Sequence, residues 1–293
     1  MSISISELAT VRARHPEAIA AAAEARARRP ALVGDSGRLL IVAADHPARG
    51  ALAVGGRRLA MADRADLLDR VCRALARPGV DGVLGTADLL EDLLLLGALE
   101  GKAAIGSMNR GGLAGAAFEL DDRFTGYRPR DIQRLRLDAG KLLLRIDPSD
   151  EGSLRTLHSS ARVIDDMARR RLPVFVEPFL SRRVAGKPTS DLSATGVATS
   201  LSIASGLAGT SAYTWLKVPV TADPAQMEQV MAASTLPAVL LGGDVEGEQE
   251  DTYERWRQAL RLPTVQGLVA GRSLLYPVDG DVEEAVDTAV GLL

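Results

Sequence analysis

The sequence predicts an α/β fold, a single (β/α)8 TIM barrel preceded by an N-terminal helical extension. Three observations carry this expectation: eight short apolar runs suited to buried strands, helix-like segments between most of them, and no dinucleotide-binding turn after any run. The runs are Arg38–Ala44, Val80–Gly85, Lys102–Gly106, Lys141–Ile146, Pro173–Val176, Tyr213–Val218, Ala238–Leu241 and Gly267–Ala270. Helical spacing links Leu67, Leu68, Val71 and Leu75, and again Leu154, Leu157, Ala161, Ile164 and Met167. Alternating strands and helices imply a parallel sheet. No run is followed by the GxGxxG turn of a dinucleotide fold, so closure into a barrel is preferred to an open sheet. At 293 residues, one barrel domain can account for positions 1–293, with 1–37 as the extension.

Within the extension, Pro16 suits the first turn of a helix running to about Arg29. Glu7, Glu17 and Glu24 set this Ala- and Arg-rich start apart from an acid-poor targeting peptide. The first strand ends in AADHPARG, which places Asp45 and His46 at its C-terminal end. Asp45 is a candidate for binding a substrate hydroxyl; His46 either joins it or caps the next turn. Two polar connections, Leu113–Ile132 and Ser181–Asp191, follow strands and are expected at the C-terminal rim, where barrel enzymes keep their sites.

Strand parity makes the fourth run informative, because alternate residues face the helices and the lumen. Leu142, Leu144 and Ile146 form the helix-facing side, leaving Lys141, Leu143, Arg145 and Asp147 toward the lumen. These charges either build a site or fill the barrel as ion pairs, since buried charges must be paired in both cases. The fifth run ends VFVEPFL, with Glu177 at the rim and Pro178 expected to end the strand; Glu177 is a proton shuttle or simply a counter-ion. The sixth places Lys217 deep in YTWLKVPV, on the parity of Tyr213 and Trp215. Desolvation and a nearby Lys141 would both favour the neutral amine that attack on a ketone requires. The last two runs end in LLGGDV and LVAGRS, so Gly242, Gly243 and Gly271 offer backbone amides, and Arg272 a cation, where barrels often bind phosphate.

Composition narrows the function class. Hydrophobic residues are 46% of the chain but aromatics only 3%, so the core is aliphatic. The net charge of −3, from 35 basic and 38 acidic residues without a basic block, argues against a nucleic-acid or polybasic membrane surface and for a small-molecule partner. Cys72 alone permits neither an internal disulfide nor a thiolate cluster, and it reads as a small buried hydrophobe on a helix. Leu89–Leu99 is too short and too acidic to span a bilayer, so a cytoplasmic protein is expected. The only histidines are His15, His46 and His158, too few for a cluster of zinc ligands; no metal and no cofactor are expected. A homo-oligomer is expected because barrels often associate, without any feature that sets its size.

TGY at Thr125–Tyr127, GKLLLR at Gly140–Arg145, VEP at Val176–Pro178, LKVPV at Leu216–Val220 and GLVAGR at Gly267–Arg272 stand in barrel order. In this ordered set the chain resembles the class I aldolases of the tagatose-bisphosphate and sulfofructose-phosphate type, and more distantly the archaeal-type fructose-bisphosphate aldolases. The resemblance implies that Lys217 is the Schiff-base residue, assisted by Lys141 and Glu177, and that the substrate is a phosphorylated sugar. Two departures are the first strand, ADHP in place of a DQRG-like pattern, and SMNRGGLAGA at Ser107–Ala116, which has no counterpart. The chain also looks like an actinobacterial subgroup associated with inositol catabolism, which implies 6-phospho-5-dehydro-2-deoxygluconate as substrate and dihydroxyacetone phosphate and malonate semialdehyde as products. Other sugar-phosphate aldolases (tagatose or fructose bisphosphate, sulfofructose phosphate, deoxyribose phosphate) remain open. So do a barrel isomerase or epimerase using Glu177 as base with Lys217 as electrostatic partner, and a non-catalytic sugar-phosphate-binding protein.

Overall fold

The computed structural model describes residues 3–34, 36–109, 113–221, 223–243, 249–278 and 280–293. Arg110–Gly112 of the SMNRGGLAGA segment, and Asp244 and Val245 of LLGGDV, lie outside the described residues. Eight parallel strands close on one another: β1 (Leu39–Ala43), β2 (Gly82–Gly85), β3 (Ala103–Ser107), β4 (Ala139–Ile146), β5 (Val174–Val184), β7 (Thr214–Val218), β8 (Ala238–Leu241) and β9 (Val265–Ala270). Their order runs β4-β3-β2-β1-β9-β8-β7-β5, and a β4–β5 ladder completes the ring. This is the expected (β/α)8 barrel.

Alternation along the strands builds two cores. Leu40, Val42, Leu142, Leu144, Val176, Leu216 and Val218 face outward and pack with helix residues such as Leu67, Leu68, Val71, Ile164 and Met167 in one continuous apolar layer. Leu39, Ile41, Leu84, Ile105, Phe175, Val239 and Val269 face inward and fill the lumen, with Trp215 and Leu32 packed against them. The tilted Phe175–Trp215 pair, with ring centroids 5.5 Å apart, is the bulkiest part of this plug. Ala103 and Ala139 leave room for it on the other strands.

Three expectations need correction. The N-terminal segment forms two helices, Leu8–Arg14 and Ala18–Ala25, with Pro16 between them, rather than one helix to Arg29. The chain extends at Arg26 because the basic run is used elsewhere: buried Arg26 and half-exposed Arg28 pair with Asp138, and Arg29 pairs with Asp81. Those aspartates precede β4 and β2, so the run straps the N-terminal end of the barrel, and Leu32 enters the lumen from that side.

Pro178 does not end β5. The ladder to β7 stops at Val176, while pairing with β4 continues to Leu180, so the missing N–H falls where only one neighbour remains. The strand then runs on to Val184 and folds back through β6 (Lys187–Ser190), so the polar segment Ser181–Asp191 is an antiparallel hairpin. Tyr213, expected in line with Lys217, lies before β7 with φ 67° and is exposed. The lumen-facing member of that end of the strand is Trp215.

Candidate active site

Above the apolar plug, the next luminal layer is charged. Asp45 follows Ala43 on the β1 parity, Lys141 follows Ala139 on β4, Glu177 follows Phe175 on β5 and Lys217 follows Trp215 on β7. All four are buried. Lys217 Nζ donates to Glu177 Oε1 at 2.8 Å; Lys141 Nζ lies 2.6 Å from Glu177 Oε2 and 3.2 Å from Asp45 Oδ2. Ser107, at the end of β3, donates to the same Asp45 oxygen at 3.2 Å. The result is one chain of alternating charge across the mouth: Lys217, Glu177, Lys141, Asp45.

The two lysines are not equivalent. Burial lowers the pKa of Lys141, but Asp45 and Glu177 together outweigh it and hold the group above the ordinary lysine range as a permanent ammonium. Lys217 has one carboxylate, which it shares. Burial lowers its pKa, Glu177 opposes this, and the charge of Lys141 adds to the lowering, so the group falls below the ordinary range. For Glu177, burial raises the pKa, but Lys141 and Lys217 override it and bring it down to about 2. Asp45 is likewise held well below the usual carboxylate range, burial being outweighed by Lys141, His46 and Lys217. A depressed lysine beside an ionised carboxylate can act as a nucleophile with its proton acceptor already in contact.

Arg145 and Asp147 do not join this layer. Arg145 forms an ion pair with Glu119, a buried acid of the long connection after β3. Asp147 lies past the end of β4, where its side chain accepts from Ser149 N and Oγ and shapes the following turn. Asn109, also beyond β3, donates to Leu143 O and accepts from Leu143 N, both at 2.8 Å, and so extends the β3 edge of β4 with a side-chain amide.

The β8 and β9 ends meet the β1 end. His46 begins the 3-10 turn Pro47–Arg49 without a side-chain capping bond, so capping is not its role. Its pKa falls to about 3, through burial first and then the charges of Arg272 and Arg49 against the opposing Asp45. The imidazole is neutral, and its Nδ1 is buried without a hydrogen-bond partner among the described residues. Gly271 is required here because a Cβ would come within 2.3 Å of Ala43 O and 2.9 Å of His46 Cε1. Gly243 has φ 71°, a left-handed conformation that suits glycine. The Gly242 N–H, expected to be available, is taken by Val269 O at 3.2 Å. Beside it, Ser273 Oγ is buried and has no partner among the described residues, a hydroxyl that strand reading did not single out. Among the described residues, no group of three His, Cys, Asp or Glu side chains could hold a metal ion, and no helix is long and apolar enough to cross a membrane.

A family model described as Cgl0159-like matches residues 37–290. The crystal structure of Cgl0159 from Corynebacterium glutamicum is similar at 49% identity over 99% of this chain and 97% of that one, with a TM-score of 0.94. A Schiff-base-forming fructose-1,6-bisphosphate aldolase is similar in fold at 20% identity, covering 89% of this chain and 96% of that one, TM-score 0.67. A fructose-bisphosphate aldolase from Slackia heliotrinireducens gives 14% identity, 99% and 94% coverage and a TM-score of 0.64. No curated protein matches the chain.

Proposed function

The chain belongs to the Cgl0159-like family, and from that premise and the charged layer of the barrel we propose that it is a class I aldolase acting on a phosphorylated ketose through Lys217. The observation that carries the reading is the asymmetry of the lysine pair: Lys217, buried and depressed, touches one oxygen of the ionised Glu177, and Lys141, held cationic, touches the other. The fold shared with Schiff-base aldolases and the ordered motifs support it.

In the cleavage direction the neutral Lys217 amine attacks the ketone carbon, and the carbonyl oxygen takes up a proton to give a carbinolamine. Glu177 receives the amine proton and returns it to the departing hydroxyl, so water leaves and an iminium forms. The iminium accepts the electron pair of the adjacent carbon–carbon bond as the β-hydroxyl loses its proton; an aldehyde departs and an enamine remains on Lys217. Protonation of the enamine carbon and hydrolysis release the ketone product and restore the amine. Lys141 stays charged throughout, holding Glu177 and Asp45 in register, and Asp45 orients a substrate hydroxyl. Arg272, Ser273 and the backbone at Gly243 and Gly271 hold the phosphate. Arg145 and Gly242, already engaged, support the rim rather than bind first.

As substrate we propose 6-phospho-5-dehydro-2-deoxygluconate, on the sequence resemblance to the subgroup associated with inositol catabolism; in it these steps yield dihydroxyacetone phosphate and malonate semialdehyde. Borohydride added with dihydroxyacetone phosphate should inactivate the enzyme and add the reduced triose-phosphate mass to the peptide containing Lys217. Lys217→Met should abolish the adduct and keep the fold. An adduct on Lys141 would exchange the two roles; no adduct on any lysine would overturn the Schiff-base mechanism.

A further inference from the structure

Arg49 ends the 3-10 turn that follows Asp45, and its carbonyl accepts from Ala114 N at 2.9 Å, tying the turn to the long connection after β3. The side chain is half-buried and its Nε is fully covered, yet among the described residues the guanidinium has no hydrogen bond and no carboxylate within ion-pair distance. The turn that it ends begins directly after Asp45 at the C-terminal end of β1, which places Arg49 at the rim, close enough for its charge to act on Asp45, His46, Lys141 and Arg145. Two further arginines near the mouth differ: Arg145 is neutralised by Glu119, and Arg272 stands after β9. The nearby Asp45 carboxylate is already engaged by Lys141 and Ser107, so a half-buried guanidinium beside Lys141 and Arg145 is costly to keep without a contact partner of its own.

We propose that Arg49 recognises a second anionic group of the substrate, a carboxylate or phosphate on the aldehyde-derived half, separate from the phosphate held beside Arg272. The inference rests on the aldolase reading above. Lys217 marks the reacting carbonyl and Arg272 follows β9; Arg49 follows the neighbouring β1, on the side away from β8 and on a turn tied to the β3 connection through Ala114, and among the described residues its guanidinium has no hydrogen-bond or carboxylate partner there. A planar guanidinium accepts either oxyanion through paired N–H donors.

The test uses the synthetic direction with dihydroxyacetone phosphate as donor and three acceptors: malonate semialdehyde, glyceraldehyde 3-phosphate and uncharged glyceraldehyde. Arg49→Met should lower kcat/KM for the anionic acceptor that the native enzyme prefers by about 10- to 100-fold and change the neutral one by less than about threefold. Arg49→Lys should recover part of the loss. The preferred acceptor tells carboxylate from phosphate. Donor trapping on Lys217 should be unchanged in Arg49→Met, which also reports an intact fold. An equal loss for neutral and anionic acceptors, or no loss for either anion, overturns the Arg49 assignment while leaving the aldolase reading in place. Failure to trap the donor in the native enzyme overturns the aldolase reading and this inference with it.

Discussion

Lys217 and Glu177 share a 2.8 Å hydrogen bond whose carboxylate also binds Lys141, so the charge on one lysine depends on a partner it does not own. Glu177→Gln should therefore have two separable effects. Maximal rate falls by about 10²–10⁴-fold through loss of the proton shuttle. The acid limb of kcat/KM moves to lower pH, because Glu177 opposes the lowering of the Lys217 pKa and its removal favours the neutral amine further. A limb that moves upward would remove Lys217 as the titrating group.

Lys141→Met should act in the opposite direction on the same limb, since Lys141 helps to lower the Lys217 pKa. It also leaves Asp45 and Glu177 buried without the ammonium that separates them. Breaking a buried ion pair from one side costs about 3–5 kcal/mol. Denaturant unfolding at neutral pH should show a loss of that size, and a loss below about 1 kcal/mol would mean that water or rearrangement replaces the ammonium.

His46 makes stability depend on pH. Its folded pKa, about 3, lies below the ordinary value of 6.5, so the unfolded chain binds the proton first. The contribution of the neutral imidazole is complete above about pH 6.5 and is lost as pH falls toward 3. His46→Asn should flatten the fall in unfolding free energy between pH 6.5 and 4.5, where the wild-type slope from this group reaches at most about 1.4 kcal/mol per pH unit. Equal slopes for the two proteins would show that His46 is protonated in the native state.

Arg272→Ala should raise KM for phosphorylated substrates by about 10- to 100-fold with little change in kcat, as expected for binding shared by ground and transition states. Gly271→Ala should do the same by a different route, because its Cβ meets Ala43 O and the His46 ring. Steady-state kinetics on both variants checks this, and an unchanged KM in Arg272→Ala would exclude it from the phosphate site.

Exhaustive chelation should leave kcat/KM within about twofold, because the chemistry proposed uses an amine as electron sink in place of a metal. Complete loss of activity restored by zinc would overturn the class assignment.

The barrel was legible in the sequence because a strand buried on both faces must be apolar, and eight such runs separated by helical spacing leave few alternatives. Lys141 was legible as a charge on the luminal parity, Lys217 as a lysine deep in an apolar run, and Glu177 from its place at the end of one. What one strand cannot contain is its neighbour's side chain. The joining of both lysines through Glu177 and the capture of Arg145 by Glu119 each depend on residues distant in sequence meeting across the mouth. The same holds for the basic run after Ala25, which breaks its own helix to reach Asp81 and Asp138, and for Pro178, which is tolerated where a strand has lost one neighbour. Sequence periodicity determined which faces are apolar, since that follows from backbone geometry alone; the pairing of charges was decided only by barrel closure, because desolvation makes each buried ion depend on whatever closure brings beside it.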